Sequence, residues 1–341
     1  MLEATLLFYN VDRCGYYDNT SSDRVFGSLE TMLSQLQIWA FDTPKPLIET
    51  CTFDRELNED YKGVFCFDIA ISENGDYLLV TWNETETLDG RYASVDGDQP
   101  AGTGQAVSSS VPKNHIPGFP AYFWFIPDKN MYVSIKHGNQ LIGRNGLESL
   151  LQGFQTFCSD HAVIRGGGET TEVIGYRENS SGETNLAVEP RFKGSRARIP
   201  GQIELIKRER SEINKVIKKT RLDLSDNDNK SLLGRILKWN GYSESIEDRN
   251  RLRIKTELSI TPSADELENI ILNWSNNADD TGNYNWHDVG FQMAKKPQTL
   301  WLSKSYITQK ISLDIDPAQA GVYQASSILR ELSSLRHQLL I

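Results

Sequence analysis

The sequence predicts an α+β protein in two parts: an N-terminal antiparallel sheet with packed helices, then a second α+β part that carries a basic helix. Three observations lead to this. Short apolar runs joined by turn-forming residues fill most of the first 160 positions, as in sheets built from hairpins. Helical spacing of apolar residues appears in separate segments in both halves, with no internal repeat and no heptad run long enough for a coiled coil. Charge also divides the chain. Met1 to Leu150 holds ten basic and twenty-one acidic side chains, whereas Arg191 to Lys255 holds eighteen basic and nine acidic. The expected domains are residues 1–160 and 161–341.

Taken in order, Ala4–Asn10 alternates like a strand, and Leu29, Met32, Leu33 and Leu36 follow helical spacing with Ser28 as N-cap. Val64–Ser72 and Tyr77–Trp82 are apolar runs around Glu73-Asn74-Gly75-Asp76, where Asn-Gly accepts the positive φ of a hairpin turn. Ser94 to His115 is a long polar segment, read as a loop that is either mobile or functional. Ala121–Ile126 and Met131–Ile135 flank a second turn, Pro127-Asp128-Lys129-Asn130, and Leu147, Leu150, Leu151, Phe154 and Phe157 mark an amphipathic helix. In the second part, Thr171–Tyr176 and Thr184–Val188 read as a hairpin. A helix is expected from about Ile203 to Thr220 behind Pro200, a short one at Ser231–Trp239, and a strand at Leu252–Ile260. Ser263 and Glu266 have capping-box spacing for a helix ending near Trp274. Strands near Thr299–Leu302 and Tyr306–Ile315 precede a last helix, Val322–Leu340.

Composition fits a globular chain: 341 residues, 38% apolar and 24% charged, with seven Trp, thirteen Tyr and thirteen Phe. No stretch approaches the roughly eighteen consecutive apolar residues of a membrane span, so direct membrane insertion is not expected. The start MLEATLLFYNVDR lacks the positive n-region and small-residue site of a secretory signal. Cys14, Cys51, Cys66 and Cys158 are widely spaced, and we read them as reduced thiols of a cytoplasmic protein, with neither a disulfide framework nor a zinc site.

The strongest functional signal is RFKGSRARIPGQIELIKRERSEINKVIKKTRL, Arg191 to Leu222, with eleven Lys or Arg against three Glu in a chain of net charge -10. Ile203, Ile206, Ile213 and Ile217 fall on one helical face, interrupted by Arg210, and Lys207, Arg208, Lys215, Lys218 and Lys219 fall off it. Local i,i+4 pairing of Glu204 with Arg208, and of Arg208 with Glu212, satisfies only a few of these charges. Arg191, Lys193, Arg196 and Arg198 add cations upstream, and Arg221 adds one downstream. Clustered cations of this kind gain from counterion release on a phosphate backbone. The expected partner is therefore double-stranded DNA, bound largely without regard to sequence, since no helix-turn-helix or zinc-finger pattern is visible. A docking surface for an acidic partner and a plainly solvated face are the competing readings.

Other motifs are weaker. Arg165-Gly166-Gly167-Gly168 lacks the Gly-Lys-Ser/Thr end of a P-loop. Asp223, Asp226 and Asp228 lack the Gly and the distal Glu of a calcium loop. Glu204 with Lys207, and Glu212 with Lys215, read as ordinary ion pairs, and Trp286-His287-Asp288 is a lone His-Asp neighbour pair. No catalytic set, metal site or cofactor is expected.

Gly118-Phe119-Pro120, the aromatic strand Tyr122-Phe123-Trp124-Phe125, the turn at Asp128 and the strand and helix that follow resemble the RexA-type phage-exclusion proteins of lambdoid prophages. The similarity covers about the first 160 residues, and Val188-Glu189-Pro190 is a fainter likeness. The resemblance implies a cytoplasmic, dimeric, DNA-binding sensor in phage defence that signals to a membrane effector, and it assigns a role to no individual residue. A homodimer is also expected from the last helix, where Val322, Leu329, Leu332 and Leu339 form a stripe with Ile328 and Leu335 beside it. The expected function is thus non-enzymatic DNA binding. The alternatives are a metal-dependent nuclease or hydrolase of a defence system, and an adaptor that holds an acidic partner with the basic helix.

Overall fold

The structure is a computed structural model that describes residues 1–42, 45–53, 62–85, 92–100, 102, 106–109, 114–138, 143–165, 172–199, 201–223, 251–276, 288–294, 298–315 and 321–340. Residues 92–94, 106–109, 221–223 and 251–253 are described by backbone alone. It is α+β, with antiparallel sheets, and it divides into one unit of Met1–Ala197 with Thr308–Ile341 and a second of Arg198–Ile307. The expected boundary at residue 160 is therefore corrected. The first unit is discontinuous because its central strand recruits partners from both ends of the chain.

That strand is β1, Leu2–Asp18, longer than the Ala4–Asn10 run that announces it. One edge pairs with β8 (Met131–His137) and β2 (Arg24–Phe26), the other with β16 (Thr308–Leu313) and then β11 (Val188–Arg196). Beyond β8 follow β7 (His115–Ile126), β4 (Tyr77–Glu84) and β3 (Val64–Ile71). Gly15 sits in β1 at φ +120, and a Cβ there would come within 2.6 Å of the Phe26 carbonyl oxygen. Only glycine allows β2 to close onto the strand at that point.

Both faces of this sheet are buried. Tyr77 and Leu79 of β4 and Phe123 and Phe125 of β7 share a core with helix α1 (Leu29–Gln37) and helix α2 (Arg144–Gly153), which runs on through the wider turn Phe154–Cys158. The intervening Leu78, Val80, Tyr122 and Trp124 are buried on the opposite face, where helix α5 (Ala325–Leu339) lies against β3 and β4. Burial on both faces explains the near-continuous apolar run Ala121–Ile126. Helix α1 begins at Ser28, whose hydroxyl accepts from Thr31 N at 3.1 Å as the spacing predicted.

Helix α5 is fixed by polar anchors. Ala325 N donates to Asp68 Oδ2 at 2.9 Å, and Tyr323 N donates to the Tyr122 hydroxyl at 2.8 Å. Arg336 grips the fully buried Asp76 through two donors at 2.8 and 3.1 Å and reaches Asp128 at 2.6 Å. Val322, Ile328, Leu329, Leu332 and Leu339, expected to meet a second copy, are buried within their own unit, and Leu335 is half-buried. The observation that favoured a dimer is thereby lost.

Two further readings are corrected. Ser94–His115 is not a bare loop, because β5 (Tyr92–Asp96) pairs with β6 (Ala106–Ser109) and with the start of β7. The expected hairpin at Thr171–Val188 is replaced. β10 (Glu172–Tyr176) pairs with β9 (Ala162–Arg165), and only a single bridge joins Tyr176 to Asn185.

In the second unit, helix α3 spans Gln202–Arg208 only, and after one tight turn the chain becomes β12, Ile213–Asp223. The expected long basic helix is therefore a short helix and a strand. Ile213, Val216, Ile217 and Thr220 are β-branched, and their stiff side chains favour a pleated surface. β12 is flanked by β13 (Arg251–Leu258) and β14 (Asp288–Met293), with β15 (Thr299–Trp301) outside β14. Helix α4 (Ala264–Asn276) covers one face of this sheet, burying Leu267, Ile271 and Trp274 with Val216 and Phe291. Its capping box forms as expected: Ser263 N donates to Glu266 Oε2 at 2.7 Å, and Glu266 N donates to Ser263 Oγ at 3.2 Å. Ser231–Trp239 and Pro200 lie outside the described residues.

Candidate nucleic-acid interface

The ten basic residues singled out by the sequence do not form one surface. Arg191, Lys193 and Arg196 lie on β11 in the first unit, and the other seven belong to the second. Arg191 is ion-paired with Glu189. Arg196 is buried, donates to Thr308 Oγ1 at 3.1 Å and has its guanidinium carbon 5.2 Å from the Tyr9 ring centroid. Both are held by internal contacts. Lys193 is exposed, in register with Arg13 on β1.

In the second unit, Arg198 donates to Ser275 Oγ at 2.6 Å and lies 5.8 Å from the Tyr306 ring centroid. Lys207 pairs with Glu268 at 2.6 Å, and Arg208 is exposed at the end of α3. Between α3 and α4, Arg198, Lys207, Glu204 and Glu268 border a mixed-charge cleft of about 310 Å³. Lys207 and Glu268 there already answer one another.

β12 holds the rest. Its alternation places Val216 and Lys218 toward the α4 face and Lys215, Ile217 and Lys219 toward the other. Lys218 thus stands at the rim of a cleft of about 440 Å³ lined by Val216, Leu258, Ile260, Ile270 and Trp274, a cleft that Lys219 and Asp288 also border. On the opposite face Lys219 lies directly across from Lys255 of β13, with Glu257 one row away. Glu257 accepts from Lys215 Nζ at 2.8 Å and from Lys255 Nζ at 2.6 Å. These two hydrogen bonds hold its carboxyl down to about 2. The backbone register continues through Arg221 opposite Arg253 and Asp223 opposite Arg251.

Toward β14, Lys219 is in register with Asp288. Burial raises the Asp288 carboxyl above its usual range, and its oxygens are occupied by Ser303 Oγ at 2.5 Å, Ser303 N at 3.0 Å and Val289 N at 2.8 Å. Asp288 is an anchor of its own backbone that also feels the Lys219 charge, while Glu257 takes Lys215 and Lys255. Lys219 Nζ sits 4.0 Å from the centroid of the Trp301 ring.

Sequence reasoning missed Lys255, Glu257 and Trp301. The alternation Arg251, Arg253, Lys255 was a visible period-two signal inside a predicted strand. The placement of Trp301 depends on strand register and had no such signal. Of the weaker candidates, Gly166–Gly168, Asp226, Asp228, Trp286 and His287 lie outside the described residues, and Asp223 is described by backbone alone. Among the described residues, no three His, Cys, Asp or Glu side chains are grouped so as to hold a metal ion. No described helix is long and apolar enough to cross a membrane. No known protein family, curated protein or solved structure matches the chain.

Proposed function

We propose that the protein holds DNA by its phosphate backbone without reading sequence, through the face of the second unit's sheet that carries Lys215, Lys219 and Lys255. The observation that carries this reading is the direct cross-strand apposition of Lys219 and Lys255. Like charges directly opposite one another in an antiparallel pair oppose folding by roughly 0.2–1 kcal/mol. Here a second basic row follows in register, Arg221 with Arg253, while one carboxylate, Glu257, serves two lysines. An anionic polymer relieves such repulsion and releases counterions in doing so. The expected contact surface thus moves from a helix to a strand pair, and Arg191, Arg196 and Lys207 leave it because acidic or buried partners hold them.

The test uses the full chain, a mixed-sequence duplex of about twenty base pairs and a salt series. Lys219→Ala with Lys255→Ala should make the slope of log K against log salt shallower by about 1.8, from about 0.9 per phosphate contact. Lys218→Ala is the control, since it removes the same kind of charge from the other face and should leave the slope unchanged. If Lys218→Ala alters the slope as much as a change at Lys219 does, net charge is responsible and the assignment fails. If the wild type retains neither this duplex nor a single strand of the same length at low salt, the DNA reading fails with it. The phage-exclusion setting is carried only by the resemblance over about the first 160 residues and, more faintly, at Val188-Glu189-Pro190.

A further inference from the structure

We propose that the Trp301 ring is a stacking platform for an unpaired nucleobase, so that the DNA held by this face is single-stranded; the inference rests on the phosphate-binding reading of the same face. Trp301 ends the edge strand β15 and stands directly opposite Gly290 of β14. A Cβ at Gly290 would come within 2.8 Å of Trp301 Cε3 and 2.6 Å of Thr299 Cγ2. The missing side chain lets the indole lie down across the β14 backbone, in the row that continues through Ile217 of β12 to Glu257 of β13. The ring is half-buried, and the group seated over it is the Lys219 ammonium at 4.0 Å.

An ammonium in that position is a replaceable occupant. A cation over an aromatic face at an exposed site contributes about 0.5–1 kcal/mol. A base stacked on an aromatic side chain contributes about 1–3 kcal/mol. The base therefore wins the ring, and the displaced Lys219 ammonium remains one side-chain length away, where the phosphate of the same nucleotide arrives. Lys255, directly across from Lys219, serves the neighbouring phosphate. A duplex offers this surface its phosphates but not its base faces, which are stacked on each other, and extruding one costs a few kcal/mol. A single strand offers both at once.

The experiment measures fluorescence anisotropy of a labelled twenty-nucleotide oligo-dT and of a labelled duplex of the same length, with the full chain at one fixed salt and then across a salt series. Trp301→Ala should weaken oligo-dT binding by about 5- to 150-fold. It should leave the salt slope unchanged, because no charge is removed, and leave duplex binding unchanged. Trp301→Phe should restore most of the lost single-strand affinity at an unchanged melting temperature. Equal loss on both oligonucleotides, loss on neither, or loss that Trp301→Phe does not restore overturns the platform while leaving the phosphate contacts standing. Absence of binding to either DNA by the wild type overturns the underlying reading, and the platform with it.

Discussion

Glu257 is the acid that the lysine face has to set aside before it can hold a polyanion, so Glu257→Gln is a revealing perturbation. The carboxylate accepts from Lys215 at 2.8 Å and Lys255 at 2.6 Å and so holds two of the three described lysines of this face. Glutamine keeps the size and one acceptor oxygen but removes the charge that makes both contacts strong. Each lysine released to a phosphate adds about 0.9 to the steepness of log K against log salt. Relative to 1 M salt, one such contact on a duplex is worth about eightfold in affinity at 0.1 M. Lys255 already meets a phosphate in the wild type, so Glu257→Gln adds Lys215 and should bind duplex DNA about eight times more tightly at 0.1 M salt, with the advantage fading as salt approaches 1 M. Because the pairs are exposed, their loss should hardly move the melting temperature.

Acid is a poor substitute for this mutation. With its folded-state carboxyl at about 2, below the ordinary 4.5, Glu257 lends a small stability that is fully present above the ordinary value and lost progressively as pH falls from there through about 2. Between pH 5 and 8 the carboxylate stays charged and wild-type affinity should be flat on its account. Anisotropy titrations at four salt concentrations decide the matter. An unchanged slope in Glu257→Gln refutes the assignment of this face. Weaker binding refutes it more sharply, since it would make Glu257 itself a ligand contact.

In the first unit, Arg336→Ala should destabilise by about 3–5 kcal/mol, because it leaves the fully buried Asp76 carboxylate without its cation, and Asp76→Ala by less, because Arg336 keeps Asp128. Urea denaturation of both singles and the double should show strong non-additivity, and a coupling below about 0.5 kcal/mol would show that the pair does not hold α5 in place. Cells carrying the gene should plate fewer phage than cells carrying the Lys219→Ala, Lys255→Ala variant; equal plating by the two removes DNA binding from any exclusion phenotype.

Local chemistry made several elements legible. Ser28 and the capping box at Ser263 are signals within four residues of the helix they start, and Gly75, at φ +77 in its hairpin turn, is equally local. Two things were hidden because they depend on pairing over long separations. β16 returns after the whole second unit to pair Leu313 with Leu2, which no local signal announces and which places the unit boundary at Ala197. The basic stretch misled for a different reason. Ile203 and Ile206 do form a helical stripe, and Ile213 and Ile217 extend it arithmetically, but the chain turns at Arg210–Glu212 and the later isoleucines belong to a sheet. Arg210, the residue that broke the stripe, donates to the Pro262 carbonyl at 2.8 Å and marks the place where the periodicity changes.

That change of period alters which cations can act together. On a helix, Lys215, Lys218 and Lys219 lie within one turn or so of each other and would meet a phosphate chain as a group. On β12 the strand alternation puts Lys218 on the α4 side and Lys215 and Lys219 on the other, Lys219 bordering the apolar cleft as well, so the group loses a member. It gains Lys255 from across the sheet and an aromatic ring from Trp301, neither of which is near it in sequence. A helix edge studded with lysines suits the regular phosphate rows of a duplex. Opposed lysines on a pleated surface beside a flat indole suit a strand whose bases are free, since charge and ring then lie within one nucleotide of each other. Discrimination between single and double strands should accordingly follow Trp301, and salt dependence should follow Lys219 and Lys255. A variant that lost discrimination through the lysines, or salt dependence through the tryptophan, would contradict this division of roles.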